Sequence, residues 1–318
     1  MKVLEKIGKR DFNLDDSEIL ALLEIENGSN EFYRLLHVSN SLSREKFGNK
    51  GYVFTQIGIN AEPCSKNCRF CSMGFDHYSL DSKWRKDVDI IKAEMRKLKE
   101  FVFDDFFLMT TADYPIDRFI DISKKVKLLL SPDQKFVANI GDFDDETAKE
   151  LKNAGFTGVY HINRLREGED TLIPTEYRER TIEAAKNSGL ELYYCIEPIG
   201  PEHSYNELLT EIKRARDLSI SVMAVMRRIP VPGTPLFDYG KISATELTKI
   251  VAVTNIVVNP SRSMNVHEPI QMALLAGVNQ LYAEIGANPR DTKSNTENSR
   301  GFTPEKAWEM LWEAGYLN

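Results

Sequence analysis

Three cysteines in one short segment are the residues of this chain best suited to chemistry. Cys64, Cys68 and Cys71 follow the spacing C-x3-C-x2-C. Thiolate sulfurs are soft ligands, so this spacing lets one loop wrap a compact metal centre. A structural zinc site normally closes with four protein ligands, whereas three thiolates suit a cubane iron–sulfur cluster with one iron left open. The spacing favours such a cluster over two alternatives, a zinc site completed by His77 and three cysteines that only pack.

A second group of polar residues lies within apolar segments that resemble buried strands. The two-residue period of a strand puts Tyr193, Cys195 and Glu197 on one face. The charged residues in three later segments are Arg228, Arg262 and Glu284. Because a charge is costly to bury without a partner, these residues predict a polar chamber for an anionic or zwitterionic substrate. A structural network of ion pairs across the fold is the alternative.

The elements that must position these side chains alternate between strand and helix from residue 51 onward. The predicted strands are 51–60, 104–111, 135–142, 158–163, 190–199, 221–229, 261–266 and 279–286. Eight strands separated by helices indicate an α/β protein of the (β/α)8 TIM-barrel type, with an open doubly wound sheet as the alternative. Chemistry in a barrel sits at the carboxyl ends of the strands, and the cysteine segment directly follows the first strand.

The chain divides into two predicted parts. Residues 1–50 read as helices whose apolar positions recur at helical spacing, so we expect this segment to pack on a larger body. Residues 51–318 are predicted to form the barrel and a C-terminal tail.

Composition excludes several classes of partner. Hydrophobic residues make up 42% of the 318 residues, enough for a large core. The net charge of −7 and the absence of a Lys/Arg-rich run argue against nucleic acid. No apolar run has the length of a membrane span, and the N-terminus lacks an apolar signal core. We therefore expect a cytoplasmic protein, in which clustered cysteines favour a metal over disulfides.

The cysteine segment resembles the signature of the radical S-adenosylmethionine (radical SAM) superfamily, C-x3-C-x-aromatic-C, with Phe70 at the aromatic position. The resemblance implies a [4Fe–4S] cluster on the three cysteines and S-adenosylmethionine (SAM) chelated by the open iron. It implies reductive cleavage of SAM to a 5′-deoxyadenosyl radical that abstracts hydrogen from an unreactive carbon. A reductant such as flavodoxin or ferredoxin is implied as the source of the electron.

The resemblance also implies positions that bind SAM. Phe70 is expected against the adenine. Thr110 and Thr111 stand where the superfamily often has Gly-Gly-Glu, so only the location carries over. Arg180 is a candidate partner for the SAM carboxylate, with a solvated helix charge as the alternative. The other candidates for cofactor binding are Asp142, His161, which is alternatively a satisfied core residue, Asn163 and Glu202.

The order of the segments EYRERT, IEPIGPE, VPGTPL and ALLAGVN resembles the biotin-synthase-like branch, which includes biotin synthase, the hydrogenase maturase HydE and methylornithine synthase. Biotin synthase holds a second cluster with cysteines on strands two, three and five and an arginine on strand seven. Here Arg262 matches approximately and Cys195 lies near the strand-five position, but strands two and three contain no cysteine. One cysteine cannot hold that cluster, so sulfur insertion is not expected.

These observations predict a radical SAM enzyme acting on a small polar intermediate of cofactor or amino-acid biosynthesis. Rearrangement, C–C bond chemistry and cofactor maturation all remain open as the reaction. A sulfur-inserting enzyme similar to biotin or lipoyl synthase and a non-enzymatic carrier of a metal cluster are the alternatives.

Overall fold

Eight parallel strands form the body of the molecule. The computed structural model describes residues 2–78, 80, 82–267, 270–284 and 302–317, without the side chain of Glu284. The eight barrel strands are β1 (Tyr52–Gly58), β4 (Asp105–Met109), β5 (Lys135–Asn139), β6 (Gly158–Tyr160), β7 (Glu191–Ile199), β8 (Val222–Arg227), β9 (Ser263–Val266) and β10 (Gln280–Glu284). Two short strands, β2 (Asn60–Ala61) and β3 (Trp84–Arg85), lie between β1 and β4 in the sequence. Strands β2 and β3 pair with each other, antiparallel, outside the barrel.

The first barrel strand closes the ring. Strand β1 pairs in parallel with β10, where Val53 lies beside Leu281, and with β4, where Ile57 lies beside Leu108. The ring runs β1-β10-β9-β8-β7-β6-β5-β4. The predicted barrel is therefore confirmed, and the open doubly wound sheet is excluded because that sheet has two unpaired edges.

Helices surround the barrel and connect its strands. They are α1 (Lys2–Gly8), α2 (Asp16–Leu23), α3 (Asn30–Phe47), α4 (Val88–Leu98), α5 (Ile116–Lys127), α6 (Asp145–Asn153), α7 (Thr175–Asn187), α8 (Tyr205–Asp217), α9 (Ala244–Val258), α10 (Gln271–Leu274) and α11 (Pro304–Glu313). Most are amphipathic and bury one stripe against the strands, as in α4, where Ile91, Met95 and Leu98 face inward. In the part of the chain that the structure describes, no helix combines the length and the apolar character that a membrane span requires.

The N-terminal helices cover one side of this ring. Helix α9 is buried on all sides from Leu247 to Val258, because α3 packs over the face turned away from the barrel. The Asn255 amide donates to the Ser39 carbonyl at 3.1 Å and to the Ser43 hydroxyl at 3.0 Å. Residues 2–47 therefore share the barrel's hydrophobic core. The boundary at residue 50 stays a prediction.

Candidate active site

A cavity opens at the carboxyl ends of the strands and spans about 1150 Å³, its open mouth included. The predicted residues on its wall are Cys64, Cys68, Phe70, Cys71, Thr110, Thr111, Glu197 and Arg228. Connecting loops that leave neighbouring parallel strands meet at this end of a barrel, which brings residues distant in sequence to one space.

The cysteine loop is folded back on itself. The Cys64 amide donates to the Met73 carbonyl at 2.7 Å, and the Cys64 carbonyl accepts from the amides of Asn67 at 3.2 Å and Phe75 at 3.1 Å. The His77 Nε2 atom lies 3.1 Å from the Cys68 carbonyl and 2.9 Å from the Cys71 carbonyl. Because Nε2 donates a proton to these oxygens, only Nδ1 of His77 is left as a potential metal ligand.

Three other loops hold the cysteine loop in place. Arg69 pairs with Asp170 at 2.8 Å in the β6–α7 loop, and the Leu236 amide donates to the Arg69 carbonyl at 3.1 Å from the β8–α9 loop. The Ser65 hydroxyl donates to Asp113 at 2.8 Å beyond β4. The position of the three thiols is thus fixed by the barrel as a whole.

The three thiols are not in disulfides, and they lie close enough to affect one another's ionisation. Burial raises the pKa of Cys64, and burial together with the neighbouring Cys71 and Cys64 raises the pKa of Cys68 to about 12, against the lowering effect of Arg164. Three adjacent thiolates repel one another, so a cationic metal centre is what allows them to ionise together. The donor set therefore fits a metal or an iron–sulfur cluster.

The end of β4 supplies a polar ledge. Thr111 is fixed by Asn60, whose Oδ1 accepts from the Thr111 amide at 2.9 Å while its Nδ2 donates to the Thr111 hydroxyl at 2.8 Å. The neighbouring Thr110 hydroxyl is buried on the cavity wall and has no hydrogen-bond partner among the residues described. An unpaired buried hydroxyl costs free energy, so Thr110 is ready to bind a polar ligand.

Arg178, which the sequence pattern did not single out, lies on the cavity wall, where Arg180 was expected. Arg180 is exposed and stacks on Tyr177, 5.3 Å from its ring, whereas Arg178 is buried and lies on the cavity wall. The inward face of α7 carries Arg178, Thr181, Ile182 and Ala185. This spacing of three, four and seven residues is the helical signal that distinguishes Arg178 from Arg180.

Asp142 and His161 hold Arg178 and do not themselves line the cavity. Asp142 Oδ1 accepts from Arg178 Nη1 and from His161 Nε2, each at 3.1 Å, and Glu167 accepts from Arg178 Nε at 2.9 Å. Burial opposes ionisation of Asp142, but the His161 hydrogen bond and the Arg178 charge outweigh it and lower its pKa to about 2. Burial lowers the pKa of His161 to about 4, so the imidazole is neutral at pH 7.

Two further arginines reach the cavity. Arg164 Nε lies 3.5 Å from Glu197 Oε1 and has no well-formed hydrogen bond within the described chain. Arg228 is almost fully buried and is held in a bidentate pair by Glu202. The Arg228 hydrogen bond lowers the pKa of Glu202 against the raising effect of burial. Glu202 thus orients Arg228 and is not itself on the cavity wall.

The structure corrects the expectation for Asn163. Its amide donates to Glu211 at 3.1 Å, between α8 and the barrel. Burial raises the pKa of Glu211, and Tyr194 also donates to it at 3.2 Å. Asn163 therefore belongs to the packing of a helix on the barrel, because the side chain that follows β6 here points away from the cavity.

Tyr193 and Arg262 are likewise far from the cavity, at the opposite end of the barrel. Arg262 forms a bidentate pair with Asp105 at 2.6 and 2.7 Å. Gln280 donates to Asp105 at 2.7 Å, and Tyr193 donates to it at 3.4 Å. This is the structural ion-pair network that the sequence left open as an alternative.

Two predicted residues remain. Cys195 is fully buried on β7, two residues before Glu197, and burial raises the pKa of its thiol well above the usual value. Glu284 ends β10 beside Gln56 of β1, and its side chain lies outside the described residues.

The chain is similar in sequence to several biotin synthases. No family model matches the chain. Biotin synthase of Clostridioides difficile is 25% identical over 265 residues, covering 78% of this chain and 79% of the relative. Biotin synthase of Ehrlichia canis is 26% identical over 293 residues, covering 86% and 87%. Methylornithine synthase (PylB) has the same fold, with a TM-score of 0.84 at 18% identity over 99% of this chain and 96% of that one.

The cysteine loop on a closed barrel, together with the sequence relatives and the shared fold, indicates a radical SAM enzyme. Such enzymes use a [4Fe–4S] cluster and SAM. Within the superfamily, the chain resembles the biotin-synthase-like branch.

Proposed function

We propose that this enzyme acts on a small, polar biosynthetic intermediate that binds inside the barrel, beneath the cysteine loop. One observation carries the proposal. A single cavity is lined by the three loop thiols and also by the buried charges of Glu197, Arg164 and Arg228. Charges enclosed in this way are retained at a cost in free energy, and a substrate with charged groups of its own would offset that cost.

The cavity residues fit a cluster with SAM bound beside it. Cys64, Cys68 and Cys71 would hold the cluster, and Phe70 would lie against the adenine. Arg178 would hold the SAM carboxylate, because its guanidinium faces the cavity while Asp142 and Glu167 fix its orientation. The unpartnered hydroxyl of Thr110 would donate to a polar atom of SAM.

When bound, the reduced cluster supplies the electron that cleaves SAM and so generates the radical that abstracts hydrogen from the substrate. The chain's own contribution is to exclude water and to fix positions. Met109, Ile140, Ile173, Met226 and Val231 provide an apolar wall, which excludes water and limits side reactions of a reactive intermediate. Arg164, Arg228 and Glu197 would orient the substrate by its charges.

Charge favours a zwitterionic substrate. Arg164 and Arg228 match a carboxylate or phosphate, and Glu197 matches an ammonium group. An amino acid or a related amino-carboxylic intermediate satisfies both requirements.

Anaerobic reconstitution tests this function. The protein is loaded with iron and sulfide, reduced with dithionite and given SAM, and 5′-deoxyadenosine is measured with and without pools of amino acids and amino-carboxylic acids. We expect about four irons per chain, slow cleavage alone, and faster cleavage with a correct substrate. A fully loaded cluster that never cleaves SAM would favour the metal-carrier alternative.

Sulfur insertion is the second candidate, and the names of the relatives favour it. Against it, the chain has four cysteines, of which three are in the loop and only Cys195 remains for a sulfur-donating cluster. Iron and sulfide analysis separates the two functions: about four of each per chain supports hydrogen abstraction alone, and a second set lost in Cys195→Ala supports sulfur insertion.

A further inference from the structure

Three potential metal ligands of different chemistry meet inside the barrel, apart from the cysteine loop. One ligand atom each from Cys195, Glu197 and His267 lies within 4.8 Å of the other two. Cys195 and Glu197 alternate along β7 and so face the same way, and His267 directly follows β9. Two strands of the barrel thus bring a thiol, a carboxylate and an imidazole together.

This donor set suits a borderline divalent metal ion. Sulfur, nitrogen and oxygen ligands of these types bind Zn²⁺ and Fe²⁺ at about 2.0–2.3 Å, which places the ligand atoms roughly 3.3–3.7 Å apart in a tetrahedron. His267 Nδ1 lies 4.0 Å from Glu197 Oε2. Small side-chain rotations therefore suffice to close the site around an ion.

The surroundings hold the ligands and set the charge. Tyr160 donates its hydroxyl to Glu197 Oε2 at 3.0 Å, and its ring lies 5.3 Å from the His267 ring. Arg164 Nε, 3.5 Å from Glu197 Oε1, offsets one negative charge. A thiolate, a carboxylate and this guanidinium sum to −1, so an ion of charge +2 leaves the pocket with a single positive charge.

The site also has an entrance and an open position. Glu197 lies on the wall of the cavity that contains the cysteine loop, so an ion and a substrate can reach it from there. Three protein ligands leave the fourth position of a tetrahedral ion to water or substrate, which is the pattern of catalytic rather than structural zinc.

We propose that Cys195, Glu197 and His267 bind one divalent transition-metal ion, Zn²⁺ or Fe²⁺, whose open position binds a nitrogen, oxygen or sulfur donor of the substrate. The ion would anchor the substrate at a fixed depth in the barrel, and Glu197 would then act on the substrate through the metal and not as a free partner for an ammonium group. Its binding releases the Cys195 proton, because the metal-bound form is the thiolate. The inference concerns these three residues and does not rest on the cluster or on SAM cleavage.

Cobalt reports on this site directly. In a full-length variant carrying Cys64→Ala, Cys68→Ala and Cys71→Ala, Cys195 is the last thiol in the chain. We expect one Co²⁺ per chain, a thiolate-to-cobalt charge-transfer band, intense visible bands of four-coordinate cobalt, and displacement by Zn²⁺. Adding Cys195→Ser should remove the charge-transfer band, and adding His267→Gln should weaken Co²⁺ binding at least tenfold. No charge-transfer band in a variant with native circular dichroism, or a band that survives Cys195→Ser, overturns the inference.

A second measurement covers the case in which the triple variant does not fold. Wild-type protein and Cys195→Ser, both reconstituted with cluster and equilibrated with Zn²⁺, are analysed for zinc, iron and sulfide. One zinc per chain that is lost in Cys195→Ser supports the site, and equal zinc in the two proteins refutes it. SAM cleavage in the same samples is independent: cleavage without the zinc refutes only the metal site, and zinc without cleavage refutes only the proposed function.

Discussion

Both ends of the barrel bury polar and charged side chains, but the two ends differ in how completely these side chains are hydrogen-bonded. At the floor, Asp105 is fully buried and accepts hydrogen bonds from Arg262, Gln280 and Tyr193. At the mouth, Thr110 and the Nε atom of Arg164 are buried without a well-formed partner among the described residues, and both face a cavity. A satisfied network stabilises a fold, whereas an unsatisfied one is open to a ligand.

This difference teaches that residue type alone does not identify a site. Arg228 directly follows β8 and Arg262 directly precedes β9, and each forms a bidentate pair with a carboxylate. Arg228 borders the cavity and Arg262 does not. Position along the barrel axis, rather than charge or burial, separates a residue that can meet substrate from one that closes the floor.

The largest effect should come from the cysteine loop. Replacing Cys64, Cys68 or Cys71 by Ala removes a cluster ligand, so we expect complete loss of the cluster absorbance and of 5′-deoxyadenosine formation. Cys195→Ala is the matched control, because its thiol lies outside the loop and should leave the cluster absorbance intact. A loop variant that still cleaves SAM would contradict the assignment of the cluster.

The floor should respond in stability and not in chemistry. Arg262→Met leaves the Asp105 carboxylate buried without its cation, which typically costs about 3–5 kcal/mol. Urea unfolding should show this loss, and the double variant with Asp105→Asn should recover part of it. SAM cleavage per folded molecule should equal that of wild type; loss of cleavage at unchanged stability would place the floor in the substrate site.

His161 makes the stability of the fold sensitive to acid. Its pKa is about 4 in the folded protein and 6.5 ordinarily, so below pH 6.5 the unfolded chain takes up a proton that the folded chain refuses. Stability is fully present above that pH and falls as the pH drops toward 4. We expect a loss of about 2 kcal/mol between pH 7 and pH 5, measured by urea unfolding of the cluster-free protein.

His161→Gln is the control for this pH effect, since glutamine can still donate to Asp142 but does not titrate. The variant should lose less stability between pH 7 and pH 5 than wild type does. Asp142, with its pKa lowered to about 2, acts in a separate window, between its ordinary pKa and pH 2. Equal slopes in the two proteins would show that His161 does not carry the acid sensitivity.

The smallest effect should separate two neighbouring arginines. Arg178→Lys keeps the charge but loses the planar fork that binds a carboxylate. We therefore expect SAM to bind about tenfold more weakly, which is a loss of about 1.4 kcal/mol of binding free energy. Arg180→Lys changes an exposed residue on the same helix and should alter SAM affinity less than twofold. Equilibrium dialysis with the reconstituted enzyme measures both, and the opposite ranking would return the carboxylate contact to Arg180.

The sequence by itself was enough to predict the barrel and the metal-binding chemistry of the cysteine loop. Both rest on local signals: the alternation of strand and helix, and three thiols within one short segment, where covalent connectivity already keeps the ligands together. Active sites in barrels lie at the carboxyl ends of the strands, so the position of the cysteines directly after the first strand predicted their end of the barrel. The cavity lies at that end.

Only the tertiary structure decided which polar residues share the cavity. Arg178 and Arg180 are two positions apart, and the rotation of α7 turns one inward and the other to solvent. Tyr193 and Glu197 share one face of β7, yet the length of the strand carries them to opposite ends of the barrel. The meeting of His267 with Cys195 and Glu197 depends on the placement of β9 two strands from β7, with β8 between them. Such contacts join residues far apart in sequence, so they follow from the closure of the barrel and not from any local pattern.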